Sequence, residues 1–192
     1  MMEPEEWREA VLARLEAAGP VCQHAARYIR EHNVPIGFAR QSTGARWTWK
    51  GAIELSADHY SLATSPANAL MLAAIVHEAT HLEQGVALAL SVEGELLGWK
   101  AEQEALAELG LRAKHAHWAP VTMMPARPSD DELRRTRAEM VRIAGWRYLI
   151  WLLPLRPNFW TRLVDRLQKF ERRLAARSSA AAQKAETDES RG

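Results

Sequence analysis

Apolar residues recur at helical spacing at the start of the chain, and the first such stretch stops at Gly19-Pro20, a common helix exit. This pattern predicts two helices, over residues 4–18 and 21–31. It then changes to short runs rich in Ile, Phe, Trp and Thr, which are typical of strands. Turn residues separate these runs, so we expect a small antiparallel sheet with strands at 34–40, 46–50 and 52–57.

Four more helices are predicted after the sheet. The first starts with Ser65-Pro66, a hydroxyl N-cap followed by Pro in the first turn, and stops at Gly85. The others are predicted over residues 91–109, 129–150 and 158–177, and a capping box opens the helix at Ser129. The sequence therefore predicts an α+β fold that is mostly helical, with the sheet before the longest apolar helix.

The chain length and composition fit one domain. With 192 residues, of which 47% are hydrophobic and 26% charged, the chain can bury a sizeable core, so wholesale disorder is excluded. We expect a single domain over residues 1–177, with its core at about 34–110 and a basic, Trp-rich helical part at 129–177. The small and polar residues 178–192 predict a disordered tail.

Charge is distributed unevenly, although the formal net charge is only +1. Residues 1–111 contain 8 basic and 15 acidic side chains, whereas residues 112–177 contain 15 basic and 6 acidic ones. This balance excludes a uniformly basic nucleic-acid binder, and no specific nucleic-acid partner is expected. The single cysteine, Cys22, forms no intramolecular disulfide and is consistent with a reducing compartment.

The chain shows no targeting or membrane-spanning pattern. Acidic residues at positions 3, 5 and 6 stand where a signal peptide needs positive charge. The most apolar segments, 69–76 and 148–155, are far shorter than the roughly 18 residues of a spanning helix. We therefore expect a cytoplasmic protein without a transmembrane helix.

The segment His77-Glu78-Ala79-Thr80-His81 is the strongest candidate for a functional site. Two histidines four residues apart project from one face of a helix, where both imidazoles can bind the same zinc ion. Glu78 points about 100° away from His77, beside the metal rather than at it. A carboxylate there can take a proton from an attacking water and return it to a leaving amine. Glu78 is the predicted catalytic residue, and His77 and His81 are predicted zinc ligands.

A catalytic zinc ion usually has three protein ligands, so a third is expected on another element. Glu93, Glu95 and Glu102 lie on the next predicted helix, which must fold back after Gly85. We favour Glu95, because it lies in the first turns of its helix, and Gly94 and Gly98 leave space for close helix packing. Glu102 is the alternative ligand; otherwise it is a partner of one histidine or a solvated charge.

These residues resemble the zincin metallopeptidases, specifically the gluzincin group, whose mark is two histidines and a downstream glutamate. The matching residues are His77, Glu78, His81 and Glu95, and the resemblance covers roughly residues 34–110. The chain looks like the minimal gluzincins, which are compact prokaryotic proteins. The resemblance implies a Zn²⁺ cofactor and a peptide or protein substrate. It also implies that the edge strand, here within residues 46–56, holds an extended peptide.

Two positions depart from the gluzincin pattern. Glu83 stands where the family usually has an apolar residue, two positions after the second histidine. The spacing from His81 to Glu95 is short, and Glu102 would match the larger members more closely. These departures leave both the third ligand and the substrate open.

Peptide hydrolysis also needs a hydrogen-bond donor for the oxyanion. The side chains that could serve do not have a spacing that singles one out; they are His59, Tyr60, His115, His117 and Tyr148.

Aromatic, aliphatic and arginine side chains are concentrated at residues 146–160. This composition suits an anionic membrane surface, and equally a helix packed over the core or a dimer surface.

From the metal-site residues we expect a zinc-dependent metallopeptidase, with residues 146–160 as its candidate contact with an anionic membrane surface. The alternatives are a non-catalytic or regulatory metal-binding protein, and a membrane-surface adaptor that uses the basic aromatic region.

Overall fold

The computed structural model of the protein describes residues 3–111, 123–125, 127–145, 154–159, 163 and 166–167. Within these ranges the helices are α1 (Pro4–Glu16), α2 (Pro20–Glu31), α3 (Ala69–Gln84), α4 (Val86–Ala89), α5 (Val92–Glu108) and α6 (Asp130–Ala144). The strands are β1 (Ile36–Ala39), β2 (Ala45–Trp47) and β3 (Ile53–Ser56). The prediction of a mostly helical α+β fold is confirmed.

The sheet differs from the predicted antiparallel one. Its strand order is β1-β3-β2, so β3 is central. β3 pairs antiparallel with β2, as a hairpin requires, but it pairs parallel with β1. The sheet is mixed because the chain passes from β1 to the far side of β3 before it turns back, and this leaves β2 at an edge.

The start of α3 also differs from its prediction. The helix begins at Ala69 and not at Ser65-Pro66, because the Asn68 side chain caps it by accepting a hydrogen bond from the Met71 backbone at 3.0 Å. Ser65 accepts instead from the Ala67 backbone at 3.3 Å, within a turn that precedes the helix. The predicted end is correct, since α3 stops before Gly85, which has a φ of 75°.

The predicted helix at 129–150 is shorter in the structure. The Ser129 capping box forms as expected, and α6 ends at Ala144 because Gly145 has a φ of 89°. The Trp-rich segment 146–160 and the predicted helix 158–177 lie mostly outside the described residues, and the tail 178–192 lies wholly outside them. In the described part of the chain, no helix is both long and apolar enough to span a bilayer.

Two clusters of buried apolar side chains organise these elements. The first core joins α1, α2, the sheet, α3 and the C-terminal end of α5, with Leu12, Ile53 and Ile75 fully buried. The second core is smaller and joins the N-terminal half of α5 to α6; it contains Val92, Leu96, Trp99, Leu133 and Met140. Helix α5 therefore packs on both cores, one at each end.

Candidate metal centre

Helices α3 and α5 bring the predicted site residues together. Within α3 both His77 and His81 are buried, and Glu95 is buried in the first turns of α5. The two helices approach closely where α5 carries glycine. A Cβ on Gly94 would overlap the Leu88 carbonyl group of α4 and lie 2.9 Å from Oε1 of Gln84 on α3. A Cβ on Gly98 would lie only 3.1–3.2 Å from the Nε2 atoms of both histidines, so the space predicted from these glycines exists.

Three potential ligand groups converge at this helix contact. The Nε2 atoms of His77 and His81 are 3.0 Å apart. Glu95 places Oε1 3.4 Å from His77 Nε2 and Oε2 3.1 Å from His81 Nε2. Ligand atoms about 2.0 Å from a tetrahedral zinc ion are about 3.3 Å from one another. The spacing of these nitrogen and oxygen atoms therefore fits a zinc ion between them.

The other nitrogen of each imidazole has an acceptor of its own. His77 Nδ1 lies 3.0 Å from Glu102 Oε2, and His81 Nδ1 lies 3.2 Å from Gln84 Oε1. The Gln84 amide is oriented because its Nε2 donates to the Gly94 carbonyl at 3.1 Å. In the neutral imidazoles both Nδ1 atoms thus have a reason to carry the proton, which leaves the Nε2 lone pairs available to a cation that displaces any proton there.

Glu95 and Glu102 have different positions in the site. Glu95 reaches both Nε2 atoms, whereas Glu102 contacts His77 from the opposite side of the ring. Glu102 therefore lies where a hydrogen-bond partner of His77 is expected, which is one of the alternatives that the sequence left open for it. The spacing along α5 left this choice open, because Glu95 and Glu102 are two turns apart on the same face.

Electrostatics couple the buried histidine and carboxylate side chains. Burial alone lowers the pKa of His77, but hydrogen bonds with Glu102 and Glu95 raise it well above its ordinary value. Burial alone raises the pKa of Glu95, but the charge of His81 and hydrogen bonds to both histidines lower it well below the ordinary range. Glu95 is therefore ionised at neutral pH, as a metal ligand must be.

Glu78 lies beside these ligand groups, at a cleft of about 890 Å³ between the edge of β2 and the α3–α5 contact. The Trp47 backbone N–H donates a hydrogen bond to its carboxylate. Burial raises the pKa of Glu78, and the charges of His77 and His81 oppose that increase. A carboxyl group with a raised pKa is better suited to exchanging protons near neutral pH.

The cleft is lined by both apolar and ionisable side chains. The sheet side contributes Trp47 and Trp49 together with charged side chains, and the site residues His77, Glu78 and Glu95 come from the two helices. Trp49 is 55% exposed at the mouth of the cleft. An extended chain lying along β2 would pass directly in front of Glu78.

The two described candidates for the oxyanion donor do not line the cleft. His59 and Tyr60 follow β3, and neither is among the described residues that line the cleft. Burial and the nearby charge of Glu102 raise the pKa of Tyr60. His115, His117 and Tyr148 lie outside the described residues.

Glu83, which departs from the gluzincin pattern, lies on the exposed side of α3. Its Oε2 atom is 2.8 Å from Nε2 of His24 on α2, and both side chains are about half exposed. A charge at this position is therefore compatible with the fold, because it faces another helix at the surface instead of the core.

Two contacting residues were not singled out from the sequence. Gln84 is three residues after His81, and Trp99 is four residues after Glu95 with its Nε1 2.9 Å from Glu95 Oε1. Helical spacing could have indicated both, since residues three and four apart share a face. The role of Gln84 also required the Gly94 carbonyl, which only the helix contact supplies.

Comparison of the chain with protein families, with curated proteins and with solved structures gives no match. The chemistry of the site is therefore inferred from its own residues and their geometry.

Proposed function

We propose that this protein is a zinc-dependent metallopeptidase. The observation that carries the proposal is the convergence of His77, His81 and Glu95 at one point beside Glu78 and an open cleft. Two imidazole nitrogens and a carboxylate oxygen suit zinc, which is commonly bound by three protein ligands in catalytic sites. A structural zinc site normally has four protein ligands, so a set of three among the described residues, next to a cleft, favours catalysis.

A bound zinc ion would supply Lewis-acid chemistry, polarising a carbonyl and lowering the pKa of water. The protein contributes the remaining steps. Glu78 accepts the proton of the water that attacks the peptide carbonyl, and then gives that proton to the leaving amine. Hydrogen bonds from Trp47 to Glu78 and from His77 to Glu102 hold the acid and the ligand in place.

The edge of β2 is the proposed docking place of the substrate. Thr48 N donates to Ala52 O and Ser56 N donates to Gly44 O, so even-numbered residues of this segment pair with β3. The backbone groups of Ala45 and Trp47 therefore point away from β3. The Trp47 N–H is already bonded to Glu78, which leaves its carbonyl as an acceptor facing the cleft. A peptide backbone is the partner that complements such an edge.

The first test is metal content. Purified protein should hold about one equivalent of zinc, measured by elemental analysis after dialysis. A protein that binds neither zinc nor cobalt(II), added at micromolar concentration, would contradict the proposal.

The second test separates metal binding from catalysis. Glu78→Gln should retain zinc and lower the cleavage rate of a quenched fluorescent peptide library by roughly 100-fold or more, because an amide cannot accept the proton. Glu83→Gln is the matched control, since Glu83 lies on the same helix but faces His24. Equal cleavage by wild type and Glu78→Gln would refute the role of Glu78.

A further inference from the structure

The third ligand group, Glu95, is held by a tryptophan. The Trp99 indole Nε1–H donates to Glu95 Oε1 at 2.9 Å, one turn further along α5. Both side chains are buried, so solvent does not compete strongly for this hydrogen bond. The bond fixes one carboxylate oxygen and thereby the direction in which Glu95 faces the two histidines.

Trp99 is in turn held by the second core. Its indole is 4% exposed and packs in the cluster that includes Leu133 and Met140 of α6. The position of the indole N–H therefore depends on α6, although α6 contributes no group to the cleft among the described residues.

The start of α5 is fixed by residues 154–156, here called the clasp. Backbone N–H groups of Val92 and Glu93 donate to the carbonyls of Pro154 and Leu155 at 3.0 and 3.2 Å. These two N–H groups have no partner within the helix, so the clasp acts as its cap. Glu95 follows only two residues later.

The Arg156 side chain connects the clasp to α5 and α6 by hydrogen bonds. Its Nη1 donates to Glu93 Oε1 on α5 at 2.9 Å, and its Nε donates to Asp130 Oδ1 on α6 at 3.0 Å. It also donates to the Pro128 carbonyl. One guanidinium thus connects the N-terminal turns of both helices in the second core.

We propose that Trp99 and Arg156 are positioning residues for the third metal ligand, so that α6 and the clasp, which are not among the described residues that line the cleft, influence the metal affinity of the site. The inference rests on the zinc site proposed above. Its physical basis is that a ligand carboxylate binds best when a hydrogen bond already fixes its orientation. Docking of α6 and the clasp would then be coupled to metal binding, and each would favour the other.

Trp99→Phe is the direct test, because phenylalanine keeps an apolar ring in the second core and removes the N–H donor. Zinc affinity, measured by competition with a chromophoric chelator, should fall by about 10- to 100-fold. The matched control is Trp7→Phe, which removes a buried indole that donates to the Thr64 carbonyl in the first core. This control should lose thermal stability and keep wild-type zinc affinity.

Arg156→Gln tests the clasp, with Arg142→Gln as its control. Arg142 pairs only with Glu139 on the same helix among the described residues. Arg156→Gln should weaken zinc binding by several fold and change the visible spectrum of the cobalt(II) form, whereas Arg142→Gln should do neither. This variant also keeps the proposal testable if Trp99→Phe fails to fold.

The outcomes separate this inference from the proposed function. Zinc affinity within twofold of wild type in both Trp99→Phe and Arg156→Gln would overturn the positioning roles while leaving the zinc site intact. An equal loss of affinity in Trp99→Phe and Trp7→Phe would overturn them too, since it would reflect general destabilisation. Wild-type protein that binds no metal would refute the proposed function and this inference together.

Discussion

The two halves of the candidate metal centre are supported in different ways. His77 lies in the middle of α3 and His81 in its last turn, and this helix packs through Ile75 and Leu72 into the first core. Glu95 lies near the start of α5, where the second core and the clasp support it. A group on a helix that packs along its whole length into a large core has little freedom, whereas a group near a helix start depends on what caps that start. We therefore expect the histidine half to tolerate distant changes better than the glutamate half.

The largest expected effect comes from removing a ligand. His81→Ala should abolish stoichiometric zinc binding, because each ligand of a zinc site contributes about 3 kcal/mol, or about 100-fold in affinity. Glu95→Gln should weaken zinc binding less, since an amide oxygen remains at the same place. Isothermal titration of both variants measures the difference. Equal losses of zinc affinity in His81→Ala and Glu95→Gln would mean that the histidine half and the glutamate half of the metal centre are equivalent.

Shortening one buried side chain in each core should show which core supports Glu95. Leu12→Ala in the first core and Leu133→Ala in the second core each remove a fully buried side chain and should cost about 2 to 5 kcal/mol. Only Leu133→Ala should also lower zinc affinity, because Leu133 packs in the cluster that holds Trp99. Urea unfolding and zinc titration of both proteins provide the comparison. A zinc affinity lowered by Leu12→Ala alone would reverse the assignment of the two cores.

A smaller effect is expected at the other end of α5. The Glu108 carboxylate accepts hydrogen bonds from the backbone N–H groups of Val21 and Cys22 at 3.0 and 2.9 Å, and so caps α2 from a distant helix. Glu108→Gln should cost about 1 to 2 kcal/mol in the free energy of unfolding and leave zinc affinity unchanged. The exposed Glu104 on the same helix provides the control variant, Glu104→Gln. Equal unfolding midpoints for the two variants would argue against the cap.

The smallest expected effect is on the reactivity of Cys22, the single cysteine, which is buried in the first core. Burial, with the nearby Glu108 carboxylate, raises the pKa of Cys22 to about 12. Because the thiol stays neutral at pH 8, it should react with a disulfide reagent only after unfolding, when its pKa falls to about 8.5. Glu108→Gln should speed this reaction. A fast reaction in the native wild type at pH 8 would be inconsistent with the buried position.

Local patterns determined much of the fold. The Ser129 capping box, the Ser91 cap of α5 and the stop at Gly85 follow from short-range hydrogen bonding and backbone sterics, so the sequence predicts them directly. The common face of His77 and His81 likewise follows from helical pitch. These features involve residues within a few positions of one another.

Two of the predictions that were wrong are the antiparallel pairing of β1 and the start of α3. The first depends on contacts distant in the sequence, and the second on a choice between two neighbouring helix caps. The parallel pairing of β1 with β3 depends on where the chain crosses, which strand patterns do not encode. Ser65-Pro66 and Asn68 are both good helix starts three residues apart, and the structure uses Asn68. Propensity alone does not rank such neighbouring caps, because packing of the first turn contributes to the choice.

By itself, therefore, the sequence determined that this chain forms a mostly helical α+β domain with two histidines and a glutamate on one helix. Only the tertiary structure decided that Glu95 and not Glu102 meets both histidines, that Glu108 caps α2, and that Trp99 faces Glu95 from a second core. The physical reason is that ligand position depends on the packing of two helices to within about half an ångström, and that packing is fixed by contacts distant in the sequence.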